Sequence, residues 1–74
     1  MNVPIVYEPV DDPDFPRGYY YAHFVGIGLT THGEGIEGAR AAARDLLKLW
    51  IEEKEAKGEP SPVFHDLLVG TLEV

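Results

Sequence analysis

Three histidines and one serine are the first side chains of this sequence to consider for metal binding or nucleophilic catalysis. His23, His32 and His65 never fall at the i, i+4 spacing that puts two ligands on one helix face, and no cysteine is present to complete a zinc site. Ser61 has His65 four residues further on, but no oxyanion-hole motif accompanies the pair. We therefore predict no enzyme, no metal and no cofactor, with His23 as a hydrogen-bonded strand residue and His32 as the most exposed histidine.

A glycine-rich stretch ahead of the long helical segment has the composition of a phosphate-binding loop. Such a loop needs a Gly-Lys-Ser/Thr sequence to place an amine and a hydroxyl on the phosphates, and none follows. The dinucleotide-binding pattern also fails, because its third glycine is missing. We interpret these glycines as turn formers, namely Gly26, Gly28, Gly33, Gly35 and Gly38.

The charge balance is acidic, with thirteen Asp and Glu residues against six Lys and Arg residues and a net charge of −7. This balance disfavours nucleic-acid binding, because phosphates are neutralised by Lys and Arg. It either favours association with a basic protein or only keeps the chain soluble. Residues 1–16 and 58–74 contain no Lys or Arg. The candidate partner-binding carboxylates are therefore Asp11, Asp12, Asp14 and Glu73.

The remaining charge pattern is a basic line, Arg40, Arg44 and Lys48, at i, i+4 and i+8 of the helical segment. We favour a solvated helix face over a docking stripe for this line. No window approaches the roughly 18 continuous apolar residues of a membrane span, and the first residues do not open a signal peptide. We expect a cytoplasmic protein with no membrane partner.

Hydrophobic patterning predicts one α+β domain over residues 1–74 with the order βββαβ. Strand-type sequence occupies residues 3–7, 19–25 and 27–32, and returns at 67–69 and 71–74. Apolar residues recur with the 3.6-residue period of a helix between residues 36 and 57, and Gly58 is placed to end that helix. The segment from Pro9 to Gly18 reads as a surface loop, with Phe15 as its anchor. We expect a mainly antiparallel sheet with the helix packed on one face.

A single helix leaves the second face of such a sheet uncovered. Tyr19, Tyr21 and Val25 share one face of the second strand by alternation, and they would form an exposed apolar patch. A domain of 74 residues also buries a small share of its surface, so association is a natural source of stability. We therefore predict a homodimer or a larger assembly built on these three residues.

Five short motifs follow one another in a characteristic order along the chain. They are a glycine before an aromatic-alanine strand, a glycine turn, a glycine-rich helix start, an aromatic residue in mid-helix and a Gly-x-x-x-Pro exit. These motifs appear as Gly18-Tyr19-Tyr20-Tyr21-Ala22, Val25-Gly26-Ile27-Gly28, Gly33-Glu34-Gly35-Ile36-Glu37-Gly38-Ala39, Trp50 and Gly58-Glu59-Pro60-Ser61-Pro62. In their order and spacing, over roughly residues 5 to 74, the chain resembles the amino-terminal domain of the HicB-family antitoxins.

The resemblance implies a degraded ribonuclease-H-like fold and an acidic antitoxin that covers the active site of a small, basic, RNA-cleaving toxin of the HicA type. Three departures accompany it: a shorter turn before Gly28 without its prolines, a helix start without the Thr and Glu of a capping box, and no DNA-binding segment after Val74. We expect one HicB-like domain, no separate DNA-binding domain and no direct nucleic-acid binding. The alternative is a HicB-like oligomeric binding domain for a different ligand.

Overall fold

The computed structural model describes residues 2–60 and 67–73, within which three strands precede one helix. The elements are β1 (Ile5–Pro9), β2 (Tyr19–Phe24), β3 (Thr30–Glu34) and α1 (Gly35–Ala56). The sheet has the order β1-β2-β3, and both strand pairs are antiparallel. The helix packs against β2 and β3, which confirms an α+β domain with one helix on one face of an antiparallel sheet.

Strand β1 lies at an edge of the sheet, where prolines are tolerated, and β2 is central. Pro9 is the last residue of β1 and pairs in register with Tyr20. The predicted start of β3 at residue 27 is wrong, because the Phe24 amide donates to the Leu29 carbonyl and closes a turn first. Ile27 and Leu29 are apolar because they pack against the core from that turn.

The core lies between α1 and the helix-facing side of the sheet. Four side chains are buried in the described part of the chain, Ala22, Phe24, Ala39 and Ala43. Three of the four are alanines, so backbone approaches backbone closely and the apolar area removed from water is small. A core of this size leaves the domain marginally stable, which makes further cover of its apolar surfaces favourable.

The helix begins without a side-chain cap, in agreement with the missing capping box. Glu34 is both the last residue of β3 and the N-cap, and its side chain makes no capping hydrogen bond. Gly35 reverses the chain with a φ of 67°, and its amide donates instead to the Gly18 carbonyl at 2.7 Å. A positive φ of this size is accessible to glycine without steric cost, so strand passes into helix with no loop between them.

The helix ends where the sequence places its stop. Gly58 has a φ of 69°, and the Glu59 amide donates to the Lys54 carbonyl at 2.9 Å while the Gly58 amide donates to the Glu55 carbonyl at 3.0 Å. These two bonds make a Schellman motif, which satisfies carbonyls that the helix cannot pair internally.

The strand predicted for the carboxy-terminal segment is not seen among the described residues. Residues 67–73 form no strand, and all seven are exposed. Residue 74 and residues 61–66, which include His65, lie outside the described residues. The apolar pattern of this segment shows that its side chains favour burial, but a pattern does not specify the surface that buries them. The described architecture is therefore βββα.

None of the helices in the described residues has the length and apolarity to cross a membrane.

Candidate protein-binding face

Strand alternation and register divide the sheet into a face under the helix and an open face. Ala22 and Phe24 of β2 lie on the helix side, so the intervening residues of β2 point to the open face. The register then adds residues of both neighbouring strands to that face. We call this set the open face, and it comprises Val6, Glu8, Tyr19, Tyr21, His23, Thr30, His32 and Glu34.

A cluster of aromatic rings occupies the centre of the open face. Phe15 folds back from the loop before β2, and its ring centroid lies 5.2 Å from His32, 6.0 Å from Tyr19 and 6.1 Å from Tyr21. All three contacts are edge-to-face, the geometry that aromatic quadrupoles favour. Tyr21 continues the cluster to His23 at 5.7 Å. Phe15 is half-buried and is the loop anchor that its place in a polar segment predicts.

A polar cross-strand network lies beside the rings. His23 Nε2 lies 2.9 Å from Glu8 Oε1, and His23 Nδ1 lies 3.0 Å from the Thr30 hydroxyl oxygen. With the proton on Nε2, the ring donates to the carboxylate and accepts from the hydroxyl, so both nitrogens are satisfied. One side chain of each strand takes part, which ties all three strands together on the open face. His23 is therefore a hydrogen-bonded strand residue, as predicted.

The acidic loop between β1 and β2 stands at the edge of the aromatic cluster. The Asp14 amide donates to Asp12 Oδ1 at 2.9 Å, and the Phe15 amide donates to the Asp12 carbonyl at 3.0 Å. These bonds form a local turn of the kind that aspartate favours. Asp11, Asp12 and Asp14 are all exposed, while Phe15 of the same loop packs on the open face. The turn thus belongs to the same short loop as the Phe15 ring that packs on the open face.

The charges of the protein divide between its two layers. Residues 2–34 contain five Asp and Glu residues and one base, Arg17, whereas residues 35–57 contain five acidic and five basic residues. The helix layer is therefore neutral in sum, and the sheet layer with its loop is negative. Two of the five acidic residues, Glu8 and Glu34, lie on the open face itself. The sheet side of the molecule therefore attracts positive charge.

The structure brings together some of the predicted site residues and separates others. Tyr19 and Tyr21 lie side by side under Phe15, with the acidic loop adjacent. Val25 follows the end of β2, where its amide donates to the Pro4 carbonyl at 3.2 Å, and it makes none of the ring contacts. Glu73 belongs to the exposed segment 67–73.

Sequence reasoning missed the parts of this face that depend on strand register. Glu8 and His23 are 15 residues apart in the sequence, and only the pairing of β1 with β2 puts them in contact. His32 reaches the cluster because it pairs in register with Tyr21. Alternation within each strand signals which residues share a face, but the linear sequence does not state the offset between strands.

No metal site is formed by the described part of the chain, where no three His, Cys, Asp or Glu residues come close enough to hold an ion. No protein-family model matches the chain, and no curated protein or solved structure matches it.

Proposed function

We propose that this chain is a cytoplasmic protein-binding domain that neutralises a small, basic, RNA-cleaving toxin of the HicA type, as a HicB-like antitoxin. The open face with its adjacent acidic loop is the docking surface. One observation supports this assignment above the others: Phe15, whose ring packs on the open face, belongs to the same loop as the three carboxylates. The domain itself catalyses no reaction.

The composition of the open face is that of a protein-protein contact. Tyrosine and phenylalanine rings are enriched at the centres of interfaces, because they bury a large area at a low cost in side-chain entropy. Tyr19, Tyr21 and Phe15 are half-buried in the isolated chain and retain surface for a partner. Their neighbour His32 is exposed and provides hydrogen-bonding atoms on the same patch.

The charge of the open face explains how binding inhibits the partner. An enzyme that cleaves RNA must present positive charge to the phosphates of its substrate. Carboxylates on Glu8, Glu34 and the acidic loop are attracted to the same positive surface. Occupation of that surface excludes the RNA, so inhibition follows from competition and requires no active-site chemistry in this domain.

The second candidate is a self-associating domain that binds a different ligand, and the exposed rings of the open face favour it. Two copies that meet through this face bring two acidic loops together, so their mutual repulsion weakens association at low salt. A basic partner is attracted at low salt instead. Raising the salt concentration should therefore strengthen self-association through the open face but weaken binding of a basic partner.

The proposal is tested with the basic reading frame of about sixty residues expected beside this gene, a size typical of a small single-domain protein. Its product is purified and its cleavage of a single-stranded RNA is measured with and without this domain. We expect a one-to-one complex, loss of cleavage at stoichiometric domain, and weaker association as salt is raised. If the product cleaves RNA at an unchanged rate under saturating domain, the toxin-neutralising function is wrong.

A further inference from the structure

A groove with apolar side chains on both walls and two arginines in its lining lies between β1 and α1, on the side of the molecule away from β3. It has a volume of about 620 Å³. Val3, Ile5 and Tyr7 form one wall, and Ile36 and Leu47 of the helix form the other. No strand of the described residues pairs with β1 on this side, because β1 is the end of the sheet. A free strand edge beside an apolar groove is a template for an added strand.

The same chain carries an exposed apolar segment with the pattern of a strand. Within residues 67–73, which we call the tail, Leu68 is fully exposed and Leu72 is 89% exposed. Leu67 and Val69 are exposed as well. Leu68 and Leu72 fall on one face of an extended chain, with Gly70 between them. Large exposed side chains of this kind, concentrated in seven residues, are unusual for a soluble surface.

We propose that the tail of a second copy enters this groove and adds a strand beside β1, and that two copies exchange tails reciprocally. In a single copy the tail is exposed and the groove is open. A twofold exchange covers both surfaces in both copies at once, which is the closed arrangement that homodimers favour. This interface is separate from the open face, so it leaves that face available for the partner proposed above.

The dimensions of the tail and the groove agree. The helix wall from Ile36 to Leu47 is about 16 Å long at 1.5 Å per residue. Seven extended residues span about 23 Å, so the tail covers the full wall. The spacing of Leu68 and Leu72 is about 13 Å in an extended strand, so both leucines fit within the length of the groove.

The charges of the two surfaces are complementary. Arg40 and Arg44 are the charged residues that line the groove, and no acidic residue lines it. Glu73 is the one charged residue of the tail. The groove and the tail therefore carry opposite charge, which favours their encounter. This arrangement gives two members of the basic line along the helix a role beyond solvation.

Sedimentation velocity at micromolar concentration tests the exchange with three variants. The tail variant is Leu68→Ser with Leu72→Ser, and the groove variant is Ile36→Ser with Arg44→Glu. The control is Leu49→Ser, a helix leucine that is 62% exposed and outside the groove. We expect a wild-type dimer, at least a tenfold rise in its dissociation constant for the tail and groove variants, and no change for the control. Far-ultraviolet circular dichroism verifies that each variant is folded.

A mixing experiment then distinguishes exchange between copies from any other effect of these substitutions. The tail variant retains a working groove, and the groove variant retains a working tail. Mixed together, they form heterodimers with one intact contact, whereas neither variant dimerises alone under the same conditions. Absence of heterodimers overturns the proposal, as does a wild-type chain that stays monomeric. A dimer that persists in the tail variant but is lost on Tyr21→Ser also overturns it, because association then uses the open face.

Discussion

Gly33 of β3 lies directly against Gly38 of α1, and the two glycines set the closest approach of helix and sheet. A Cβ built on Gly33 would overlap the carbonyl group of Gly38 and stand 2.5 Å from the Ala39 amide nitrogen. A Cβ built on Gly38 would lie 3.4 Å from the Gly33 carbonyl carbon, which is ordinary contact. The two positions are therefore unequal, since the strand glycine is sterically required and the helix glycine is not.

This inequality predicts opposite effects for two alanine substitutions. Gly33→Ala forces the backbones of β3 and α1 apart. It should lower the free energy of unfolding by about 1–3 kcal/mol or more, as overpacking does. Gly38→Ala removes a poor helix former from the first turns of α1, and it should raise the free energy of unfolding by roughly 0.5–1 kcal/mol. Thermal unfolding followed by circular dichroism is the measurement, with a lower Tm expected for the first variant and a higher Tm for the second. Equal Tm values for the two variants would contradict this packing of helix on sheet.

The acidic loop is expected to control how fast the partner binds. Changing Asp11, Asp12 and Asp14 to Asn removes three exposed charges, so the association rate should fall several-fold at low salt while the dissociation rate changes little. Stopped-flow or surface-based kinetics against the basic partner measures both rates. Stability should be retained, because an asparagine in place of Asp12 can accept the same amide hydrogen bond through its side-chain oxygen.

A matched control distinguishes the effect of where the negative charge lies from the effect of the net charge. Changing the exposed helix residues Glu52, Glu53 and Glu55 to Gln alters the net charge by the same three units on the other layer. Its association rate should stay near that of the wild type, because charges beyond about 8–10 Å are screened at physiological salt. Equal slowing by both triple variants would show that net charge, and not the loop, steers the partner.

Phe15 is expected to hold the acidic loop to the open face. Phe15→Ala removes three ring contacts from a half-buried position, so it should lower the free energy of unfolding by about 1–2 kcal/mol. This is less than the loss expected at a fully buried phenylalanine. The Val10 amide donates to the Tyr19 carbonyl at 2.9 Å across the neck of the loop, and its hydrogen exchange should accelerate. Phe15→Leu retains most of the apolar volume and should lie between the wild type and the alanine variant. Unchanged exchange at Val10 in Phe15→Ala would show that the loop holds its shape without the ring.

The ion pair at the end of the helix predicts a pH effect. Lys54 Nζ lies 2.7 Å from Glu59 Oε2, and the hydrogen bond and charge of Lys54 hold the pKa of Glu59 below its usual value. A carboxyl with a lowered folded-state pKa stabilises the fold above its unfolded pKa, and this contribution is lost as pH falls through the folded pKa. Nuclear magnetic resonance titration of Glu59 should therefore give a higher pKa in Lys54→Met than in the wild type. Lys57→Met is the control and should have a smaller effect, because Lys57 acts on Glu59 only through its charge.

The local elements of this fold could be predicted because each depends on nearby residues. The apolar period and the stop at Gly58 predict the helix, whose Schellman end follows from a glycine at the correct position. The prolines of β1 predict an edge strand. The start of β3 could not be placed in this way, because Ile27 and Leu29 have strand-type side chains but pack on the core from a turn.

The sequence by itself determined the fold class, the helix and the acidic character, because periodicity, chain stops and charge are local or additive properties. Only the tertiary structure decided which residues form a surface. The strand register joins Glu8, His23 and Thr30, and the folding back of Phe15 joins the acidic loop to Tyr21. The tertiary structure also requires glycine at position 33, because a side chain there would overlap Gly38. Gly38 lies five positions later in the sequence, on the helix that packs against β3. These relationships depend on how elements pack, and packing is a property of pairs of segments that no single segment contains.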